Sequence, residues 1–524
     1  MQLFATAPPA RRADVPEEAR ASAAAARNLR YEAETFLPGV DERTREVYRR
    51  AKNPEDPFEL RDLWLGRVEH ELGDRAHRPW QAERWRDSVV RREVTDEEVL
   101  TARSTPRFVK ELFNWFFRDD LYGELRESAE VILSSGAVCE LDWGLPEALK
   151  DCFRYALDRD WYGYSDSCGR LPVREAVAAY ESARISGASY TARNVALTLG
   201  GTSSVSMLAD FILSGRQPAG SPALCCTPNY PPLVEAVARR HPVALVPLPC
   251  RDGVTSLRPL LRALTPQTPL VLLQTAANPT GAAVDEAELA ELVRAASPST
   301  MILLDECHEW LGEPRTASAL RAAPNVIRIS SLSKNWSAPG VKAGWVLADA
   351  AFISDYYEYA STTIGGPPSF YYTAIEVLAR MERWMVTGVS RVGRAEVDEF
   401  ESSYGLNRDN LQAAYDSYRA DRRAREAGLR VLRDAASAQL ADVARVTPPS
   451  YSINTMVRFD QWDDSYRCFR ELLHRSGVSV YPGILNFCFA DGVVRVTTAR
   501  SWRDLSSAFR RLRTALGRKE VACV

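Results

Sequence analysis

Lys334 has the setting in this sequence that most clearly suggests chemistry. It follows the strand-like segment 325–330 and ends the run Ser331-Leu332-Ser333-Lys334. A lysine just after a buried strand lies in a partly dry pocket, where its amine can lose a proton and act as a nucleophile. Such an amine forms a Schiff base with an aldehyde, and pyridoxal 5'-phosphate (PLP) is the common protein-bound aldehyde. We therefore expect Lys334 to bind PLP.

Two polar residues follow other apolar segments upstream of Lys334. Asp305 ends the run 301–304, and Asn278 lies in an Ala-Asn-Pro-Thr-Gly segment after another strand-like run. Ligands of open α/β sheets bind at the carboxyl ends of the strands. There Asp305 can pair with the pyridine nitrogen, and Asn278 can donate to the phenolate oxygen. Alone, Asp305 suits a helix N-cap and Asn278 a turn. We favour the cofactor roles because one strand–helix unit separates each residue from the next.

A glycine turn, Gly200-Gly201, separates a predicted strand at 195–199 from a predicted helix. Free N–H groups at a helix start favour phosphate, so Thr202 and Ser203 are candidate ligands of the cofactor phosphate. Ser331 and Lys342 can complete this cradle. A glycine turn by itself is a weak signal, because many such turns are only tight.

Tyr230 and Arg495 are the remaining candidates. Tyr230 follows a strand end in Thr-Pro-Asn-Tyr-Pro, where its ring can stack on the pyridine, although a loop aromatic can also simply pack on the core. Arg495 lies within the apolar strand 493–497, and its planar fork suits the α-carboxylate of an amino acid. The alternative is a surface ion pair, since the chain has 66 Lys and Arg residues. We expect Lys334, Asp305 and Tyr230 to be catalytic.

Composition excludes several other classes of protein. With 524 residues, 46% apolar and 26% charged, the chain is long enough for two or three ordinary globular domains. A net charge of −3 favours neither nucleic acid nor membrane surfaces. No apolar run reaches the roughly 18 residues of a spanning helix. Ten scattered cysteines and five histidines without metal-ligand spacing predict a reduced, cytoplasmic protein without a metal site.

The order of these motifs resembles one family. Gly-Gly-Thr, Pro-x-Tyr, Asn-Pro-Thr-Gly, Asp-Glu, Ser-x-Ser-Lys with Pro-Gly, and a late arginine are similar to the class I/II aminotransferases, including their 1-aminocyclopropane-1-carboxylate synthase branch. The resemblance implies a fold type I PLP-dependent α/β enzyme. It also implies a homodimer with shared active sites, in which Lys334 holds PLP and moves protons at Cα. It covers roughly residues 140–345 and 450–510.

With that resemblance, we divide the chain into five parts. Residues 1–130 are a helical extension whose first 30 are disordered or a frayed helix, and its aromatic cluster 115–117 must pack on the main body or a second subunit. Residues 131–185 form the N-terminal arm and part of a small α+β domain. Residues 186–350 form the large PLP domain with a mostly parallel sheet between helices. Residues 351–445 form a helical connection, and 446–524 the C-terminal small domain.

Three positions depart from the family pattern. His308 stands where a tyrosine is usual, and it can still bond the phenolate as a group titrating near neutrality. Lys342 replaces the usual phosphate-binding arginine. The tyrosine that normally reaches the neighbouring subunit's phosphate aligns near Ser167, with Tyr162 or Tyr164 as substitutes.

We therefore predict an enzyme that acts at the α-carbon of an amino acid through a Schiff base and a quinonoid carbanion, foremost an aminotransferase. The alternative uses the same carbanion for β/γ-elimination or replacement, with S-adenosylmethionine or a similar substrate, in specialised bacterial metabolism. A third hypothesis joins a DNA-binding module to such a domain. Residues 55–130 disfavour it, since they are as acidic as basic and rich in tryptophan.

Overall fold

The computed structural model describes residues 2–11, 14–26, 29, 36, 39–214, 220–312, 316–447, 449–490 and 492–517. Within these ranges, no helix combines the length and apolar character that a bilayer crossing requires. The same residues contain no group of three or more His, Cys, Asp or Glu side chains that could hold a metal ion.

Residues before 130 are largely helical. Polar caps begin several of these helices; for example, Thr95 accepts a hydrogen bond from the N–H of Glu98 at 3.2 Å. Helix α1 lies within the first 30 residues, which the sequence predicted to be disordered or a frayed helix. It packs on the long helix of residues 408–441. Its alanines allow close packing, and Ala19 is fully buried. The helices are α1 Glu17–Ala26, α2 Glu42–Arg50, α3 Pro57–Leu72, α4 Pro79–Asp87, α5 Asp96–Thr101 and α6 Ser104–Trp115, and α6 continues as a π-helix, Phe116–Glu124.

Residues 131–185 follow the N-terminal extension. They contain strand β1 Val131–Ile132 and helices α7 Glu140–Trp143, α8 Glu147–Asp158 and α9 Leu171–Arg184. Strand β1 pairs in parallel with a strand near the C-terminus, with Val131 opposite Val478. The arm is therefore joined to the C-terminal part of the chain.

A seven-stranded sheet lies within residues 195–347. Its strand order is β2-β11-β10-β9-β7-β3-β4, parallel except for β11. Alternate residues of its strands, such as Leu272 and Leu273, enter two different core clusters, so both faces are covered. The elements are β2 Val195–Thr198, α10 Gly201–Leu213, β3 Ala223–Thr227, α11 Pro231–Ala238, β4 Val243–Pro247, β5 Cys250–Arg251, β6 Val254–Thr255, α12 Arg258–Ala263, β7 Leu270–Gln274, β8 Ala283–Val284, α13 Glu286–Ala295, β9 Met301–Asp305, β10 Val326–Ser331 and β11 Gly344–Leu347.

The rest of the chain is helical and then mixed. Residues 351–445 contain four helices: α14 Ala350–Thr363, α15 Tyr372–Thr387, α16 Arg394–Asp398 and α17 Arg408–Ala441. An antiparallel sheet of order β12-β13-β16-β15 follows. The C-terminal elements are β12 Arg445–Thr447, β13 Asn454–Arg458, α18 Ser465–Ser476, β14 Val478–Ser479, β15 Tyr481–Pro482, β16 Val493–Thr497 and α19 Trp502–Ala515. Short 3-10 turns lie at Gly73–Arg75, Arg126–Ser128, Ala192–Asn194, Ala319–Ala322, Ser369–Tyr371, Ser402–Tyr404 and Gly483–Asn486.

Candidate active site

One cavity opens at the carboxyl ends of the central strands. The cavity is open to solvent, and its empty space, counted together with the solvent at its mouth, is about 960 Å³. Every site residue that the sequence predicted lines it except Ser203: Thr202, Tyr230, Asn278, Asp305, His308, Ser331, Lys334, Lys342 and Arg495. Ser203 lies on the first turn of α10, and its hydroxyl points to the Met207 sulfur at 3.7 Å.

Lys334 lies three residues beyond β10 with its amine in this cavity. Burial, together with the positive charge of Arg495, lowers the pKa of Lys334 to about 8. The Nζ donates a hydrogen bond to the carbonyl oxygen of Gly136 at 2.6 Å. About a tenth of this amine is consequently uncharged at pH 7, far more than for an ordinary lysine, and the uncharged form is the nucleophile.

Asp305 ends β9 and is held by its neighbours on both sides. The Nε2 of Gln274 donates to its Oδ2 at 2.9 Å, because Gln274 lies opposite Asp305 on the adjacent strand β7. The N–H of Cys307 donates to its Oδ1 at 3.1 Å. Gln274 also accepts from the N–H of Asn278 at 3.3 Å, and so ties the two predicted cofactor contacts together.

Arg495 is buried in β16, and its side chain contacts two distant parts of the chain. Its Nη1 donates to Oδ1 of Asn278 at 3.1 Å, and its Nη2 to the carbonyl oxygen of Ser134 at 2.8 Å. The guanidinium carbon lies 3.9 Å from the centre of the Tyr481 ring. Burial lowers the pKa of Arg495, but the group stays charged because an arginine begins from 12.5.

Four other residues at the cavity suit a phosphate. Gly200 precedes α10 with φ +89°, and Thr202 is exposed on the first turn of that helix. Ser331 ends β10, and Lys342 lines the cavity and is exposed. The start of a helix of 13 residues, two hydroxyls and one ammonium form a donor set suited to an anion. With Lys334, Asp305 and Asn278 in the same cavity, these residues fit PLP.

The structure corrects the expectation that His308 titrates near neutrality. Its side chain is buried, and its Nδ1 lies 2.7 Å from the hydroxyl oxygen of Ser452. Burial, with the charges of Lys334 and Arg495, lowers the pKa of His308 well below its usual value. The imidazole is therefore neutral in the physiological range.

A buried charge cluster supports the two strands that end in the cavity. Glu306, next to Asp305, accepts hydrogen bonds from Arg328 of β10 at 2.9 and 2.8 Å and from Arg321 at 2.8 Å. Arg328 also donates to Glu181 of α9 at 2.8 Å. These bonds fix β9, β10 and α9 together, immediately behind Asp305.

Several lining residues were not predicted from the sequence. They are Gly136, Gln274, Cys307, Tyr481, Phe113 and Phe117. Gly136 ends a Ser-Ser-Gly segment, and this glycine was the one sequence signal of a turn there. In the structure its φ is +65°, in the left-handed region that favours glycine. The two phenylalanines come from the extension, whose aromatic cluster was expected to pack on the main body or a second subunit.

Comparison with known proteins decides the family. The family model for aminotransferase class I and II matches residues 128–511. This chain belongs to the class I and II aminotransferase family. An aspartate aminotransferase of Pyrococcus horikoshii is 25% identical over 404 residues, which are 75% of this chain and 93% of that protein. A valine–pyruvate aminotransferase of Mycobacterium tuberculosis is 27% identical over 433 residues, covering 80% and 98%.

The fold agrees with that of solved aminotransferases. The structure of Thermus thermophilus aspartate aminotransferase with maleate superposes with a TM-score of 0.61 at 22% identity, over 75% of this chain and 93% of that one. The chain is thus a transferase enzyme with the α/β fold expected from the sequence. Since the family match begins at residue 128, Phe113 and Phe117 belong to the additional N-terminal helices.

Proposed function

We propose that the protein is a PLP-dependent aminotransferase in which Lys334 carries the cofactor and Arg495 binds the α-carboxylate of the amino acid. The single observation that supports this best is the cavity itself. It unites a lysine of lowered pKa, a buried carboxylate and a buried arginine at the carboxyl ends of the strands.

Different residues would contact different parts of the cofactor. Asp305 would hold the pyridine nitrogen, Asn278 the phenolate side, and Tyr230 a ring face. Thr202, Ser331 and Lys342 would hold the phosphate, with Ser203 as a further candidate. When bound, PLP supplies an aldehyde and a ring that accepts electrons from the substrate Cα.

The protein's own groups provide orientation and proton transfer. Arg495, fixed by Asn278 and Ser134, presents its fork to a carboxylate and so sets the position of Cα. Lys334, when displaced by the substrate amine, is a base of suitable pKa to remove the Cα proton and return it. Gln274 keeps Asp305 oriented. His308, neutral and bonded to Ser452, can hydrogen-bond the phenolate side without adding charge.

We further propose a cytoplasmic homodimer whose subunits complete each other's sites. Tyr162 and Tyr164 are strongly exposed, at 62% and 104%, and do not line the cavity of their own chain. Two large exposed aromatics on one loop suit burial by a second copy. The described cysteines are free thiols, which suits a reducing compartment. Light scattering tests the dimer. The activity of a mixture of Tyr164→Ala and Lys334→Ala subunits tests the shared site.

The test of the main proposal is Lys334→Ala. We expect it to lose the borohydride-reducible bond to PLP and to slow amine transfer by about 10²- to 10⁴-fold. Lys150→Ala, which alters a surface ion pair with Glu147, is the control. Amino-group transfer should also require a keto acid acceptor, such as 2-oxoglutarate. Turnover of the amino acid without any acceptor would contradict the transaminase assignment and favour elimination or replacement.

A further inference from the structure

Phe113 and Phe117 place an aromatic wall on the cavity. Both lie one helical turn apart at the junction of α6 and the π-helix, with their ring centres 4.9 Å apart. Both line the cavity and are only half-buried. Part of their apolar surface therefore faces the space in which the substrate would lie.

The wall is joined to aromatic residues of the main body. The Phe113 ring meets the Tyr230 ring edge-on, with centres 5.6 Å apart and planes at 81°. The Phe117 ring lies 6.1 Å from the ring of Tyr481, which in turn packs under the Arg495 guanidinium. The two phenylalanines thus connect the predicted cofactor-stacking residue with the support of the predicted carboxylate site.

The π-helix holds this wall from behind. Phe116 is fully buried and packs on Phe469 with ring centres 4.8 Å apart. Asp120, also fully buried, accepts hydrogen bonds from Arg78 at 2.5 Å and from the Tyr466 hydroxyl at 2.8 Å. A buried charge that is paired on both sides fixes the backbone. The position of Phe113 and Phe117 at the cavity is therefore fixed by the packing of the π-helix.

The charged residues that line the cavity argue for a substrate with an apolar side chain. Among the described residues that line it, the cations are Lys334, Lys342 and Arg495, and the one carboxylate is Asp305. Each of these has a role toward the cofactor or the α-carboxylate. Within this set, no charge remains to pair with a charged substrate side chain, whereas Phe113, Phe117 and Leu233 offer apolar contact.

We propose that the N-terminal extension selects the substrate, with Phe113 and Phe117 contacting an apolar, foremost aromatic, side chain of the amino acid. This inference rests on the proposed aminotransferase function. Aromatic rings prefer edge or offset contacts with other aromatic rings, and removal of apolar contact from a pocket changes specificity by roughly tenfold to a hundredfold.

The test compares L-phenylalanine, L-aspartate and L-alanine in single-turnover reactions with the PLP-loaded enzyme, followed by the cofactor's absorption. For the native protein we expect kcat/KM for L-phenylalanine to exceed that for L-aspartate by at least about a hundredfold. Phe113→Ala with Phe117→Ala should lower the value for L-phenylalanine about ten- to a hundredfold and leave that for L-alanine within about threefold.

Two control variants separate contact from folding. Phe58→Ala removes an exposed phenylalanine of the same extension that does not line the cavity, so the selectivity should remain. Phe113→Leu with Phe117→Leu preserves apolar packing, and its melting temperature shows whether the extension still folds. A native preference for L-aspartate, an equal loss for all three amino acids, or the same loss in Phe58→Ala would overturn the inference alone. If none of a broad set of amino acids reacts, the proposed function fails as well.

Discussion

The Nζ of Lys334 donates to the carbonyl oxygen of Gly136 at 2.6 Å, which links the predicted cofactor lysine to the N-terminal arm. The same glycine lies against the guanidinium of Arg495, so that a Cβ at position 136 would come within 2.8 Å of Nη2. Its N–H donates to Thr497 Oγ1 at 2.9 Å. The backbone of Gly136 therefore sets the separation between the Lys334 amine and the Arg495 guanidinium.

Gly136→Ala should damage substrate binding more than folding. The new methyl group would displace Arg495, and φ +65° disfavours any side chain there. We expect kcat/KM for the preferred amino acid to fall roughly tenfold to a hundredfold, mainly through a higher KM. Gly340→Ala is the control because a methyl group at that position would meet no other group within 4 Å. Unchanged steady-state kinetics in Gly136→Ala would contradict this role.

Arg495 should control the protonation of Lys334. Its positive charge disfavours the ammonium form, so Arg495→Gln should raise the pKa of Lys334 above about 8. The initial rate at which the apo-enzyme binds PLP covalently, measured between about pH 6.5 and about pH 9.5, reports the uncharged amine. The midpoint should move to higher pH in Arg495→Gln and stay in place in Arg503→Gln, an exposed arginine of α19. Equal midpoints in all three proteins would show that burial alone sets this pKa.

The sequence predicted the strands that carry the chemistry because each is a short apolar run bounded by turn residues. The strand-like run before Asn278 is observed as Leu270–Gln274, the run 301–304 as Met301–Asp305 and the segment 325–330 as Val326–Ser331. Parallel strands end at one edge of a sheet, so these three predictions were enough to expect Asn278, Asp305 and Lys334 in one cavity.

What the sequence could not predict depends on long-range packing. Gly136 meets Lys334 and Arg495 from nearly 200 and more than 350 positions away. Phe113 and Phe117 carry no reactive group, so only their place in the folded protein reveals a contact with the cavity. The protonation of His308 likewise follows from burial, which residue type alone does not reveal.

Loss of Glu306 from its buried charge cluster should destabilise the folded protein strongly. Burial raises the pKa of Glu306, but three cations, led by Arg328 and Arg321, outweigh it and lower the pKa below its usual value. Glu306→Gln would leave these buried guanidinium groups short of one negative charge, at a cost of about 3–5 kcal/mol in the free energy of unfolding. Arg394→Gln breaks an exposed pair with Asp398 and should change it by less than about 1 kcal/mol. Urea denaturation measures both, and a similar small effect for Glu306→Gln would refute the cluster's importance.

His308 should make the protein less stable in mild acid. The unfolded chain binds a proton at this residue near its usual pKa of 6.5, whereas the folded protein, with a much lower pKa, does not. As the pH falls below 6.5, the unfolded state is therefore favoured by up to ~1.4 kcal/mol per pH unit. His308→Asn removes this proton uptake, so its unfolding free energy should fall less steeply between about pH 6.5 and about pH 5 than that of the native protein. His70→Asn, at an exposed site on α3, controls for the loss of an imidazole. Parallel curves for the native protein and His308→Asn would mean that the folded state also protonates His308, and the neutral imidazole assigned to the cofactor side of the cavity would then be wrong.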